Sequence, residues 1–310
     1  MKTISIATGC FNEEDNLAEY YAQIVAVFHE LKGFYTYELI IADNNSSDRS
    51  PFILKELAAK DDKVKVIINS RNFGSSRSGY NALLHTTGDA SVLMATDLQD
   101  PPALIKEFIA KWEQGAKVVM AIKTNSAESK VVYALRTLYY RMLASLADIK
   151  LIPHFYGFGL YDRQVVDILR SLNDPYPYFR GLIADIGFPP VIVEFFQPAR
   201  KHGKSKSNLL YLYEEAMLGI TSYTKMPLRL ATIIGFMTAI ISFAIGVLYL
   251  VYKLIFWSSF SLGIAPIATG LFFFSSVQLI FLGILGEYIS MIYTHVLKRP
   301  VVYEKERINF

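Results

Sequence analysis

Short apolar runs that end in polar clusters recur through the N-terminal part of the chain. Residues 3–8 alternate and are rich in isoleucine, and a turn-prone segment follows from Gly9. Leu17, Tyr21, Ile24, Phe28 and Leu31 then fall three or four apart, the spacing of one apolar helical face. Residues 37–42 form a second run, ending in Asp43-Asn44-Asn45, after which Ser50 offers an N-cap with Pro51 at the first helical position. Residues 64–69 and 91–95 are two further runs, each leading into polar residues and a helical pattern, and residues 118–122 read as a fifth strand. Strand, polar loop and helix in repetition predict an α/β fold: an open, mostly parallel sheet with helices on both faces. Ligands of such sheets bind just beyond the carboxyl ends of the strands. Asn12-Glu13-Glu14, Asp43-Asn44-Asn45 and Asp97-Leu98-Gln99-Asp100 all fall there.

The pattern changes further on. Val131, Leu135, Leu138, Met142 and Leu146 share one helical face, with Arg136 and Arg141 elsewhere on it; Leu209, Tyr213, Met217 and Ile220 mark a second amphipathic helix. Two readings fit both helices: packing on the core, or lying in a membrane interface. Two apolar stretches, residues 228–256 and 262–293, close the chain. Each exceeds the ~20 residues that cross a bilayer. The short, uncharged Trp257-Ser258-Ser259 between them predicts a helical hairpin. Lys225 and Arg229 precede the first stretch and Lys298 and Arg299 follow the second. By the positive-inside rule both ends, and the globular part with them, face the cytoplasm. Lys253 falls near the far end, where its long stem can snorkel. The expected organisation is a globular domain over residues 1–207, a juxtamembrane helix over 208–227, two spans over 228–297 and a cytoplasmic tail over 298–310. Gly235, Gly246, Gly283 and Gly286 give the spans small-residue surfaces on which a homo-oligomer could form.

Composition sharpens this division. Apolar residues make up 52% of the 310 and charged residues 19%, yet only Lys253 and Glu287 are charged between Ala231 and Tyr293. An ionisable group such as Glu287 near a span's end is expected to have a partner, and Arg229 or Lys225 is the nearest in prospect. The net charge of +3 does not argue for nucleic acid, and a slight basic excess suits a protein on an anionic leaflet. The single cysteine, Cys10, cannot form an internal disulfide. The first residues, MKTISIATG, lack a signal peptide's apolar region and read as a strand.

The sharpest chemical signal is Thr96-Asp97-Leu98-Gln99-Asp100-Pro101-Pro102 after an apolar strand. A carboxylate and a carboxamide two residues apart can both reach one hard cation, and Mg²⁺ and Mn²⁺ favour such oxygen ligands together with phosphate oxygens. The same residues are also ordinary helix-start chemistry, with Pro101 opening the helix.

Taken in order, Phe11-Asn12-Glu13-Glu14, Ala42-Asp43-Asn44-Asn45-Ser46, Ser70-Arg71-Asn72-Phe73-Gly74, Gly88-Asp89 and Asp97-Leu98-Gln99-Asp100-Pro101-Pro102 resemble the inverting family-2 glycosyltransferases of GT-A fold. The later segments Tyr161-Asp162-Arg163, Phe179-Arg180-Gly181-Leu182, Arg200-Lys201-His202-Gly203-Lys204-Ser205-Lys206, Pro227-Leu228-Arg229, Gly286-Glu287-Tyr288 and Lys298-Arg299-Pro300 narrow the likeness. They resemble the polyprenyl-phosphate glycosyltransferases, among them bactoprenol glucosyltransferases, undecaprenyl-phosphate aminoarabinose transferases and, more distantly, dolichyl-phosphate mannose synthases. The resemblance implies transfer of a sugar from a nucleotide-sugar donor, UDP- rather than GDP-linked, to polyprenyl phosphate at the cytoplasmic face of the inner membrane. It implies that Phe11, Asn12, Glu13, Asp43, Arg71, Asp89 and Asp97 serve the donor and that Asp97 and Gln99 hold Mg²⁺ or Mn²⁺. It also implies that Arg136, Arg200 and Lys206 meet the acceptor phosphate, although the stretch from Arg200 to Lys206 reads equally as a solvated basic loop. Asp97 and Asp185, the latter a spare carboxylate for the acceptor side, are the candidate catalytic residues.

The chain departs from the family where Ala95 replaces the first acid of the metal motif, and where Gly157-Phe158-Gly159 replaces an acidic or small polar position. These departures favour a second reading, a non-catalytic scaffold or nucleotide-sugar sensor. A processive polysaccharide synthase is disfavoured, because neither Trp112 nor Trp257 ends a Gln-x-x-Arg-Trp motif.

Overall fold

The computed structural model describes residues 1–125, 149, 151–153, 155–198, 209–256 and 264–310. Its centre is an eight-stranded sheet in the order β7-β5-β6-β4-β1-β2-β3-β8. Strands β1 (Lys2–Cys10), β2 (Tyr35–Asp43), β3 (Val64–Asn69) and β4 (Ala90–Leu93) are parallel neighbours. They are buried on both faces because helices cover both sides, so apolar residues dominate them, and the polar residues Ser5, Thr8, Glu38 and Ser91 among them are themselves buried. Against one face, Leu17, Tyr20, Ile24 and Phe28 of α1 (Glu14–Glu30), Leu54 of α2 (Ser50–Lys60) and Phe108 of α4 (Ile105–Glu113) join the core. The other face receives Tyr80 and Leu83 of α3 (Ser75–Leu84), Val165 and Leu169 of α5 (Arg163–Leu172), and Leu182 of α6 (Phe179–Ile186).

The fifth run is β5 (Val118–Asn125), but it does not sit beside β4. The short β6 (Gly159–Asp162) is inserted between them, antiparallel to both, and β7 (Pro190–Phe196) runs parallel outside β5. Gly159 is what admits β6. A Cβ there would lie 2.2 Å from the Val119 carbonyl oxygen. Gly157, at φ +118°, needs glycine for a different reason, its left-handed backbone. The glycines at the family's acidic position are thus demanded by the backbone. Asp162 of the Tyr-Asp-Arg segment has a structural role. It caps α5 by accepting from Gln164 N–H at 3.1 Å and binds Trp112 Nε1 at 2.7 Å.

Helix α7 (Leu209–Tyr223) buries Leu218 against Tyr178, with Tyr223 and Met291 beside them, while Tyr213 stays exposed. Packing and exposure are therefore combined in the second amphipathic helix; the first, residues 131–146, lies outside the described residues. Helices α8 (Met226–Ile255) and α9 (Ile264–Val296) are long and apolar enough to cross a membrane, and their apolar windows have no buried residue. Such exposure suggests membrane association, because water would not tolerate so large an apolar surface. The last turns of α9 lie against the globular domain, where His295 Nε2 stands 3.4 Å from Asp174 Oδ1.

The tail then re-enters the sheet. β8 (Glu304–Ile308) pairs antiparallel with β3 at the edge, and Asn309 Nδ2 donates to the Ala58 and Val64 carbonyls at 2.8 and 2.9 Å. The chain leaves the sheet, passes through both apolar helices and returns to the same sheet, so both ends of the hairpin are on the domain's side. Glu287 does not pair with Arg229 or Lys225; among the described residues it forms no ion pair. It faces Arg77 and Arg299 across a cavity instead.

Candidate active site

The crevice opens at the carboxyl ends of β1 to β4. α3 comes close to β1 because Gly9 and Gly79 meet without side chains; a Cβ on Gly9 would be 3.0 Å from Gly79 N. Asn12 and Asn45, at φ +54° and +60°, turn the two neighbouring loops through left-handed backbone that asparagine tolerates. The loops are stitched together. Asn12 N–H donates to Ser46 Oγ at 2.8 Å, Ser47 N–H to Asn12 Oδ1 at 2.8 Å, and Glu13 N–H to Ser50 Oγ at 2.9 Å. Asp43 is fully buried and accepts from Ser46 N–H at 3.0 Å and Ser46 Oγ at 2.5 Å. Burial pushes its carboxyl up from the usual range against those two bonds.

Beyond β3 a network of asparagines holds the next loop. Asn44 Oδ1 accepts from Phe73 N–H at 2.9 Å and Asn69 Nδ2 at 3.1 Å, while Asn44 Nδ2 donates to Asn72 Oδ1 at 2.9 Å. Arg71 stands exposed on that loop with its guanidinium 3.9 Å from the Phe73 ring centroid. Phe11, Asn12, Glu13 and Arg71 on loops and Asp43 at the last position of β2 therefore all sit at the ends of three adjacent strands.

The β4 loop carries the acidic motif. Leu98 is in left-handed backbone at φ +59°, a costly conformation for a bulky residue, retained here with its side chain buried. It separates Asp97, whose Oδ1 accepts from Gln99 N–H at 3.1 Å, from Gln99, whose Nε2 donates to the Pro198 carbonyl at 3.3 Å. Asp100 lies behind them, only 1% exposed. It accepts from Ala95 N–H at 2.8 Å and from the Tyr156 hydroxyl, and burial pushes its carboxyl up to about 7. Ala95, where the family's first acid would be, thus gives its backbone N–H to Asp100. Among the described residues no three His, Cys, Asp or Glu side chains converge as a metal cage. The oxygen donors of Asp97 and Gln99 suit a hard cation that takes its other ligands from phosphate.

Other expected site residues lie elsewhere. Asp89 precedes β4, so it stands at the amino edge of the sheet, away from the crevice; its carboxylate accepts from Thr3 N–H at 2.7 Å and ties β1 to β4. Asp185, on α6, lines clefts with Thr221, Tyr223 and Lys225 that no residue of the β4 loop borders. Arg136, Arg200 and Lys206 lie outside the described residues. The Asn44–Asn69–Asn72 network and the Asp100–Tyr156 pair were not singled out in the sequence; the asparagines' recurrence at strand ends is the signal that could have found them.

The family model described as "Glycosyl transferase family 2" matches residues 5–169, which run from within β1 through β6 and include the loops after β1 to β4 that line the crevice. An uncharacterized glycosyltransferase of Bacillus subtilis (strain 168) is 34% identical, over 96% of this chain and 91% of its own. The bactoprenol glucosyl transferase of Shigella phage SfX is 32% identical over 98% and 99% of the two chains. A prophage bactoprenol glucosyl transferase homolog of Escherichia coli (strain K12) is 31% identical over 96% of each.

Proposed function

The chain belongs to glycosyl transferase family 2, and from that premise we propose that it moves a sugar from a nucleotide donor to polyprenyl phosphate at a membrane surface. The observation that carries this reading is the return of the chain from α9 into the edge of the catalytic sheet. It holds the crevice's domain against the ends of two apolar helices, where a water-soluble donor and a lipid phosphate can meet. The near full-length likeness to proteins called bactoprenol glucosyl transferases supports the same acceptor. The domain and both termini are taken as cytoplasmic, at the inner membrane, on the charges flanking the helices. The lipid-linked sugar would serve cell-envelope glycan or lipid modification.

Phe11, the Asn12-Glu13 loop, Asp43 and Arg71 would hold the nucleoside of a UDP- rather than a GDP-sugar. Asp97, with Gln99, would hold Mg²⁺ or Mn²⁺, which when bound neutralises charge growing on the departing diphosphate. The acceptor phosphate, with a second pKa of about 6, is largely dianionic near neutral pH and needs no strong base. One of its oxygens attacks the anomeric carbon as the bond to the nucleoside diphosphate breaks on the opposite face, which inverts the centre. The residues supply positioning and electrostatics, with Arg136, Arg200 and Lys206 on the acceptor phosphate and Asp185 in reserve beside it. A Cβ at Gly246, Gly283 or Gly286 would meet nothing within 4 Å, leaving room for α8 and α9 to pack against a second copy.

The test is acceptor-dependent donor cleavage. Purified protein with Mn²⁺ or Mg²⁺ should release nucleoside diphosphate from one of a set of nucleotide sugars only when undecaprenyl phosphate is added. Release that ignores the lipid would count against the acceptor.

A further inference from the structure

A cavity of about 540 Å³ separates the catalytic domain from the end of α9. Three guanidiniums reach it from three elements: Arg71 from the loop after β3, Arg77 from α3, and Arg299 from the start of the tail. Glu214 of α7 and Glu287 of α9 also line it. No ion pair joins any of these five among the described residues, so the cavity presents charges of both signs; Arg71 Nη1 donates to the Asn72 carbonyl at 3.1 Å and Arg77 Nη2 to the Pro300 carbonyl at 3.4 Å. Arg77 is the most constrained. Its guanidinium is wedged between the rings of Phe73 and Tyr176, and Nε is buried with no hydrogen-bond partner. A buried unsatisfied donor on a charged group is costly unless a ligand meets it.

The depth of the cavity identifies the ligand class. The Tyr288 hydroxyl donates to the Thr224 carbonyl at 2.7 Å, which fixes Glu287 level with the start of α8 at Met226. Below that level α9 runs along α7 and the domain. Given the membrane reading proposed above, on which this inference rests, the cavity is at headgroup depth. Tyr293, in the last turn of α9, and Leu297 just after it give the cavity an apolar wall. The β4 loop, four strands away from β8 across the sheet, contributes nothing to it.

We infer that this cavity binds the headgroup of a zwitterionic aminophospholipid, its phosphate on Arg77 and Arg299 and its primary ammonium on Glu287 and Glu214. A phosphate alone would leave the carboxylates unmatched. A quaternary ammonium could not donate to them. A headgroup with both a phosphate and N–H donors meets Arg77, Arg299, Glu287 and Glu214 together, while Arg71 keeps its bond to the Asn72 carbonyl.

The full chain is floated with vesicles of phosphatidylcholine alone or doped with phosphatidylethanolamine or phosphatidylglycerol, and retained lipid is measured by native mass spectrometry. Phosphatidylethanolamine should be retained about tenfold or more over phosphatidylcholine, the factor carried by one charge-assisted hydrogen bond. Arg77→Gln should lose both doped lipids, whereas Glu287→Gln should lose only the preference for phosphatidylethanolamine. Arg299→Gln, on the exposed tail, should weaken retention in a chain whose folding it leaves alone. Equal retention of all three lipids by protein that floats overturns the inference and leaves the membrane reading standing. So does displacement of phosphatidylethanolamine by equimolar undecaprenyl phosphate, which would make the cavity an acceptor site. Protein that floats with no vesicle overturns both.

Discussion

Replacing Gly159 by alanine should cripple the domain although it adds one methyl group. The added Cβ would stand 2.2 Å from the Val119 carbonyl oxygen and 3.3 Å from Met120 Cα. Neither atom belongs to a side chain that can rotate away, so β6 must move off β5. Overpacking of this kind costs about 1–3 kcal/mol. Gly159 pairs with Leu93 of β4 on one side and Met120 of β5 on the other. Losing two ladder hydrogen bonds would add about 1–3 kcal/mol. The sum, about 2–6 kcal/mol, is a large share of the roughly 5–15 kcal/mol that holds a domain together. A domain of this size loses roughly 2–4 °C in Tm per kcal/mol, so the fall should be roughly 5–20 °C. Thermal unfolding in detergent, followed by tryptophan fluorescence, is the assay, because Trp112 is bonded to Asp162 at the other end of β6. Gly270→Ala, whose Cβ enters open space away from the glycines proposed to pack a second copy, is the control and should melt no lower than the parent. A Gly159→Ala protein melting within about 1 °C of the parent would refute the steric account, since even the low end predicts more.

Three further outcomes follow from the same geometry. Asp97→Asn should lower turnover by about a hundredfold or more with no change in melting temperature, read by steady-state kinetics beside a thermal melt. Tyr156→Phe leaves buried Asp100 one donor short and should cost about 1–3 kcal/mol, measured by denaturant unfolding. Glu38 is buried at the amino edge, and although burial raises its carboxyl, bonds from Lys65, Ser5 and Thr87 hold it below the usual range. A carboxyl lowered on folding stabilises above its unfolded pKa of about 4.3, and that stability disappears as pH falls through the lower folded value. Glu38→Gln should therefore melt lower than the parent near pH 7, with the gap closing as both are acidified; a gap that is constant with pH would contradict this.

The central strands were legible because each is an apolar run closed by polar residues, and a parallel sheet's burial on both faces leaves no other pattern. β6 and β8 were not. β6 is four residues long and exists only through its neighbours. β8, Glu-Lys-Glu-Arg-Ile, has the charged exterior of an edge strand and finds its partner far back in the chain. Asn12, Asp43 and Asp97 could be placed on the crevice because they follow strands. Asp89 was misplaced although it precedes one; a residue at the start of a parallel strand belongs to the opposite edge. Arg77 carries no sequence signal, because its neighbours come from separate places in the chain: Phe73, Tyr176 and, through the returning tail, Pro300. Glu287 stands level with the start of α8, yet it lines the cavity on the domain side with Arg77 and Arg299 instead of pairing with Lys225 or Arg229.

The most direct test of the account is mass spectrometry of the lipid fraction after incubating the protein with undecaprenyl phosphate, divalent metal and each of a panel of nucleotide sugars. The account predicts one new species, heavier than the acceptor by a single sugar residue, present with the parent and absent with Asp97→Asn. Unmodified acceptor with every donor, from protein that is folded and embedded in bilayer, would contradict it.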